Sequence, residues 1–337
     1  MHPTVQHYAS KVFRFGIVPK AKQRAGAAFM EARARRGGPA PEIRQTAGEH
    51  NVVDDYWTGH MVNGAPFLTA GQSSRYLDWR FREYPLFREF SGLYGNHDGE
   101  AILDYGCGPG NDVIGFATRT GARRVVGADV SLSALQLARH RAGLHELGPD
   151  RVELVRLTDD HTELPFADGE FDFVSSQGVI HHTTEPEAIL RELHRVLRPG
   201  GEGSIMVYNR DSVWLHLHVA WELLVRDGRW PGETAYEAFH RTTDGEDCPI
   251  ANCYSGPEFV ALLEQAGFEA RYVGGYLSQW ELRAMQESWG SAIVDERLPA
   301  EHRDFLRELR YDYNHRPMTA GNLHAGIGGT YRIRKPA

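Results

Sequence analysis

Three alternating glycines, Gly106, Gly108 and Gly110, and three aspartates that follow one another along the chain are the residues whose types and order could do chemistry. The glycines stand in "LDYGCGPG" (103–110), behind Asp104 and a short apolar run. A strand that runs through glycines into a helix offers backbone N–H groups and the positive end of that helix to a ligand. Asp129, in "VVGADVS", closes the next apolar run. A carboxylate there can accept both hydroxyls of a ribose, or it can cap the following helix, a role open equally to Ser131. Asp160 follows the third apolar run in "LTDDHTELPFADGEFDFV" (157–174) and can accept from an adenine amino group. The glycine spacing, G-x-G-x-G, is one residue short of the dinucleotide pattern. Taken alone it is equally a tight strand–helix turn.

Such groups converge only if they sit at the carboxyl ends of neighbouring parallel strands. Five strand candidates supply that frame: 101–105, 123–130, 151–157, 171–176 and 203–208. Helical stretches lie between them. In 186–197, Ile189, Leu190, Leu193, Val196 and Leu197 share one face, and "RPGG" (198–201) stops the helix. This alternation predicts an α/β fold with a parallel sheet covered on both sides. Further helix is expected over 74–90, with a break at Pro85, and over 212–226, 257–267 and 280–312, with strands over 268–277 and 328–337.

Composition narrows the class. The chain has 337 residues, 41 % hydrophobic and 24 % charged, as in ordinary globular proteins. No apolar run reaches the ~18 residues that span a bilayer, and the N-terminus has no apolar core of signal-peptide length. Three cysteines cannot all pair, which suits a reducing, cytoplasmic setting. A net charge of −8 argues against a nucleic-acid partner. Residues 1–50 run the other way, with nine Lys and Arg against three Glu. The expectation is a basic helical or partly disordered arm over 1–40, with weak peripheral contact to an anionic surface left open.

Over 101–208 the chain resembles the class I S-adenosylmethionine-dependent methyltransferases, in the branch that contains the ubiquinone/menaquinone methyltransferases. The matching stretches are "LDYGCGPG", "GADVS" (127–131), "DDHTELPFADGEFDFV" (159–174) and "GVIHHTTEPEAILRELHRVLRPGG" (178–201). The resemblance implies a Rossmann-like seven-stranded mixed sheet whose last strand is antiparallel, with a helical lid and insertions. It divides the chain into the arm, a helical lid and acceptor-pocket segment at 41–99, and a methyltransferase domain at 100–337 with insertions at about 211–254 and 278–327. It also implies that Asp104, Gly106, Cys107, Gly108 and Gly110 approach the methionine part and ribose of the cofactor. Asp129, with Val130 and Ser131, would hold the ribose, Asp160 and His161 would frame the adenine, and Gln177 would sit near the sulfonium.

The reaction so implied moves a methyl group from S-adenosylmethionine to an oxygen or nitrogen of a small organic acceptor: a sugar, a nucleoside-like compound or a specialised metabolite. A hydroxyl or ammonium acceptor must lose a proton, and His181 and His182 stand where the fourth strand ends. One of them is expected to take that proton, the alternative being that both shape the pocket. Tyr208, Asn209 and Arg210 could line the acceptor pocket or turn the chain. Asp244, Glu246 and Asp247 could bind a cation or polyol, against a plain acidic surface loop. No metal site is expected, since Cys248 and Cys253 lack a second pair. "SSQG" at the end of strand four is not the Asn/Asp-Pro-Pro-aromatic motif of DNA amino-methyltransferases. Two other readings share the sheet: a nicotinamide-dependent oxidoreductase, which the missing G-x-G-x-x-G disfavours, and a non-catalytic cofactor-binding regulator.

Overall fold

The computed structural model describes residues 40–46, 52–60, 64, 66–158 and 162–337. The basic arm, up to residue 39, and the predicted adenine residues Asp160 and His161 lie outside the described residues. The strands are β1 (Ile43–Gln45), β2 (Ala101–Tyr105), β3 (Arg124–Asp129), β4 (Val152–Arg156), β5 (Phe171–Gln177), β6 (Leu197–Tyr208), β7 (Glu269–Tyr276), the short β8 (Arg310–Tyr311) and β9 (Pro317–Met318), and β10 (Gly328–Arg334). The helices are α1 (Val52–Gly59), α2 (Ala70–Glu83), α3 (Phe87–Ser91), α4 (Asn111–Arg119), α5 (Leu132–Leu144), α6 (Pro186–Val196), α7 (Trp214–Arg226), α8 (Ala235–Ala238), α9 (Gly256–Gln265), α10 (Gln279–Ala292) and α11 (Ala300–Glu308).

The main sheet has the order β1-β4-β3-β2-β5-β6-β10-β7. β10 is antiparallel to both β6 and β7, and the other pairings are parallel. The antiparallel last strand is as expected, but the strand count is eight rather than seven. The additional strand is β1, inside a segment expected to be a helical lid. It covers the outer edge of β4, whose backbone groups would otherwise be unpaired, and Arg44 reaches Glu153 of β4 at 3.0 Å. β6 also begins earlier than expected. "RPGG" does not separate helix from strand, because the β5–β6 register slips between Phe171 and Phe173 and so absorbs its Pro and Gly residues.

All five residues of β2 are buried, so it reads as one apolar run rather than an alternation. Its neighbours Ile102 and Leu103 point to opposite faces and enter different cores. One core packs Leu103 with Leu190, Leu193 and Phe259; the other packs Ile102 with Ile114, Phe116 and Phe90. A third core is built from α7, α8, α10 and α11 around Trp214 and Phe239. α7 is wound with π pitch. Sequence segments either side of β7 therefore share one helical body, which stands at the carboxyl end of β6 and the amino end of β10 through Tyr208 and Ile327.

Candidate active site

The chain leaves β2 at Tyr105 and turns three times through positive φ, at Gly106 (73°), Gly108 (52°) and Gly110 (76°), before entering α4. Each glycine is required for a different reason. A Cβ on Gly106 would lie 2.2 Å from Val179, and one on Gly110 would lie 2.8 Å from Ala138 of α5. A Cβ on Gly108 would meet nothing within 4 Å. Gly108 is thus bare backbone facing open space, whereas Gly110 serves close helix packing and is not part of the cavity wall. Arg141, 1 % exposed, fastens the loop from behind. Its guanidinium donates to Pro109 O at 3.2 Å, to the Asn111 side chain, and to Ser73 Oγ at 3.1 Å.

Asp129 ends β3 beside this loop. Its Oδ2 accepts from Gly108 N at 2.7 Å and its Oδ1 from Ser131 N at 2.8 Å. Ser131, not Asp129, caps α5, accepting from Ala134 N at 3.3 Å. The carboxylate is therefore oriented by two backbone donors, and it lines the cavity. Asp104 is buried, and desolvation, with Asp112 nearby, pushes its carboxyl well above the usual range. Arg80 donates twice to Asp112 and remains charged. Gln177, closing β5, donates from Nε2 to Ser204 O at 2.9 Å, while its buried Oε1 has no partner.

These groups line one cavity of about 310 Å³ along the carboxyl edge of the sheet. Cys107, Val130 and Ser131 also reach it. Over β2 and β3 it is polar, with the glycine loop, Asp104, Asn111, Asp112, Asp129 and Ser131. Aromatic residues line it as well, Trp79 and Trp57 among them: Tyr208 ends β6, and Tyr276 ends β7 with Tyr84 and Phe87 against it. Of the residues after β6, Tyr208 lines the cavity, Asn209 is buried in a turn onto Gly326 O, and Arg210 faces Glu258.

The two histidines differ sharply. His181 is 0 % exposed and absent from the cavity wall, and neither ring nitrogen has a hydrogen-bond partner. Burial, followed by the neighbouring His182, pushes its pKa well down, so it is neutral. His182 does line the cavity, but its Nδ1 lies 2.6 Å from Ile250 O and its Nε2 3.4 Å from Asp244 Oδ2. Burial opposes its charge, yet Asp244 overrides this and raises its pKa to about 10. A ring facing two oxygen acceptors carries two protons and has no lone pair to offer. Of the two rings expected to take the acceptor's proton, His181 thus lies outside the cavity, and both nitrogens of His182 face oxygen acceptors of the protein itself.

Asp244 is buried, while Glu246 pairs with Arg229 and Asp247 is exposed, so the acidic loop gathers no cation site. Among the described residues, no group of three or more His, Cys, Asp or Glu could hold a metal. The histidines His216, His218 and His324 pair with His302, Glu222 and Asp312 instead of reaching the cavity. Arg80, Asp112 and Thr243 line it unforeseen. Arg80 stands near no glycine or strand-end signal, whereas Asp112 comes two residues after Gly110 and Thr243 directly before Asp244, so the glycine loop and the acidic loop were the signals that could have found them.

A methyltransferase-domain family matches residues 102–201. A demethylmenaquinone methyltransferase of Clavibacter sepedonicus is 43 % identical over 244 residues, 71 % of this chain and 78 % of the relative. The chain belongs to the class I S-adenosylmethionine-dependent methyltransferases. Within them it falls in the ubiquinone/menaquinone-methyltransferase branch. A ubiquinone/menaquinone biosynthesis C-methyltransferase of Paracoccus denitrificans is 36 % identical, covering 51 % of this methyltransferase and 67 % of its own length. A solved SAM-dependent methyltransferase from Aquifex aeolicus superposes with a TM-score of 0.41 at 21 % identity, over 62 % of this chain and 93 % of that one. The enzyme's cofactor is S-adenosylmethionine, and the cavity suits it. Bare backbone at Gly108 and the unpartnered Gln177 Oε1 leave room and an acceptor for it.

Proposed function

We propose that this methyltransferase acts on a small, planar acceptor whose ring carries a hydroxyl, and that the methyl goes to that oxygen. The observation that carries this reading is the make-up of the cavity wall: glycine backbone and Asp129 at the ends of β2 and β3, and aromatic residues, of which Tyr208 and Tyr276 end β6 and β7. Flat aromatic walls favour a flat ligand by stacking and edge contacts. In this reading Asp129 accepts the ribose hydroxyls, Gly106 to Pro109 admit the cofactor against the backbone, and Val130 and Ser131 flank it. Asp104 and Gln177 face its positively charged end. When bound, S-adenosylmethionine supplies a methyl group on a sulfonium, whose leaving group is a neutral thioether. The protein's task is then to align the acceptor at about 3 Å and to exclude water. Trp57 serves both ends: its carbonyl accepts from Ser131 Oγ at 3.5 Å, and its ring meets His182 edge-on at 4.8 Å.

A second reading, transfer to a ring carbon next to the hydroxyl, draws support from the Paracoccus relative, which is named a C-methyltransferase. Both readings start from the same hydroxylated ring. The test is incubation with methyl-labelled S-adenosylmethionine and a panel of hydroxylated naphthalenes and naphthoquinols, beside sugars and nucleosides, with products located by NMR. Label on the ring oxygen supports the first reading and label on ring carbon the second. Label on sugars or nucleosides alone contradicts both.

A further inference from the structure

With both histidines unable to accept a proton, the proton released by the acceptor has to go elsewhere, and the cluster at the β6 end of the cavity shows where. Asp244 comes from the loop after α8, outside the strand–helix region of the family match. Its contacts to Tyr208 Oη (2.8 Å) and His182 Nε2 (3.4 Å) both fall on Oδ2. Its backbone carbonyl accepts from Tyr56 Oη of α1 at 2.7 Å. Asp244 is thus held from three elements, it lines the cavity, and Oδ1 takes part in neither side-chain contact. Cys248, from the same loop, packs under His182 with Sγ 3.9 Å from Nδ1.

We propose that Asp244 is the catalytic base: its Oδ1 accepts the acceptor's hydroxyl proton during methyl transfer, while His182 is a positioning residue that keeps the carboxylate ionised. The proposal rests on the hydroxylated-ring reading above. In the step, a lone pair of the acceptor oxygen forms the new bond to the methyl carbon. The carbon–sulfur bond breaks and its pair stays on sulfur. The hydroxyl proton passes to Oδ1, leaving a neutral carboxyl that returns the proton to water after release. A carboxylate is a weak base, but it suffices here. An oxygen gaining a third bond turns its O–H into a strong acid, so placement matters more than basicity. Besides His182, Tyr208 is the titratable group on this carboxylate, while Tyr56 bonds to the Asp244 backbone carbonyl and has Cys248 and Asp247 as its own charged or ionisable neighbours. Burial raises the two phenols, so both remain neutral donors at neutral pH.

The experiment compares the wild type, Asp244→Asn and His182→Gln on naphthols graded in acidity by nitro substitution, with S-adenosylmethionine affinity measured alongside. Asp244→Asn is expected to bind S-adenosylmethionine within about twofold of wild type and to lose at least ~10²-fold in kcat on 1-naphthol. That loss should shrink as the naphthol becomes acidic enough to arrive ionised. His182→Gln, which withdraws the counter-charge, should move the acid limb of the kcat profile to higher pH, and it tests the assignment even if Asp244→Asn folds poorly. An Asp244→Asn loss that is independent of naphthol acidity, or full turnover in that variant, overturns the proposal. So does an unmoved acid limb in His182→Gln. A wild type that methylates no naphthol fails the acceptor reading itself, and the assignment with it.

Discussion

Asp129 and the glycines make separable contributions, and substitutions should separate them. Asp129→Ala removes a charged acceptor that two backbone N–H groups already orient, and should weaken S-adenosylmethionine binding by about 1–3 kcal/mol in a calorimetric titration. Unchanged affinity in a folded variant would take Asp129 out of the site. Gly106→Val and Gly108→Ala should fail differently. The first drives its side chain into Val179 and should lower Tm as well as binding. The second has room but a positive φ, so it should cost about 1–2 kcal/mol of stability while its methyl competes with the cofactor. Equal Tm losses would contradict that distinction. At this scale Asp104, the glycine loop and Asp129 were legible because each stands at the carboxyl end of a strand or directly after it. Arg80 and Asp112 were not, since their pairing joins residues 32 positions apart through packing that no local pattern records. The histidines were legible as residues but not as roles, because only the fold brings Asp244 and Ile250 to His182.

The glycine loop keeps its shape through an element that does not contain it. Arg141, on α5, donates to the backbone of Pro109 and the side chain of Asn111 from a buried position, despite a pKa that burial lowers to about 10. Arg141→Met should therefore leave buried acceptors unpaired and destabilise by about 1–3 kcal/mol in urea unfolding, with weaker cofactor binding from a looser loop. Lost stability with unchanged affinity would show that the loop holds itself. The strands of the family match were legible from their apolar runs and strand–helix alternation. β1 was not: "IRQ" has one apolar residue in three, and its strand state comes from pairing with β4, not from propensity. The π pitch of α7 was equally hidden, since its run of buried Trp, Leu and His differs little from an α-helical one.

Across the whole molecule, sheet and helical body meet at a buried carboxyl that makes stability depend on pH. Glu281, 0 % exposed, accepts from Ser278 N at 2.7 Å and from Ile327 N at 2.9 Å, which ties α10 to the strand edge beneath the cavity. Burial outweighs these donors and raises its pKa from 4.5 to about 7. A folded-state pKa above the unfolded one means that ionisation disfavours the fold. The penalty is absent below pH ~4.5, grows up to pH ~7 and then stays constant at about 3 kcal/mol. His182 acts in the other direction: raised to about 10, its contribution is complete below its unfolded value of 6.5 and is lost as pH rises toward 10. Glu281→Gln should thus gain stability relative to wild type between pH 4.5 and 7, and His182→Gln should lose its disadvantage between pH 6.5 and 10. Thermal melts across pH check both; parallel curves would refute them. The most direct test of the whole account is a crystal structure with S-adenosylhomocysteine bound. The account predicts the ribose hydroxyls on Asp129, the ligand backbone along Gly106 to Pro109, and its sulfur facing the Gln177 and Tyr208 end of the cavity. A ligand seated elsewhere, or one whose sulfur points away from Tyr208 and Asp244, would contradict it.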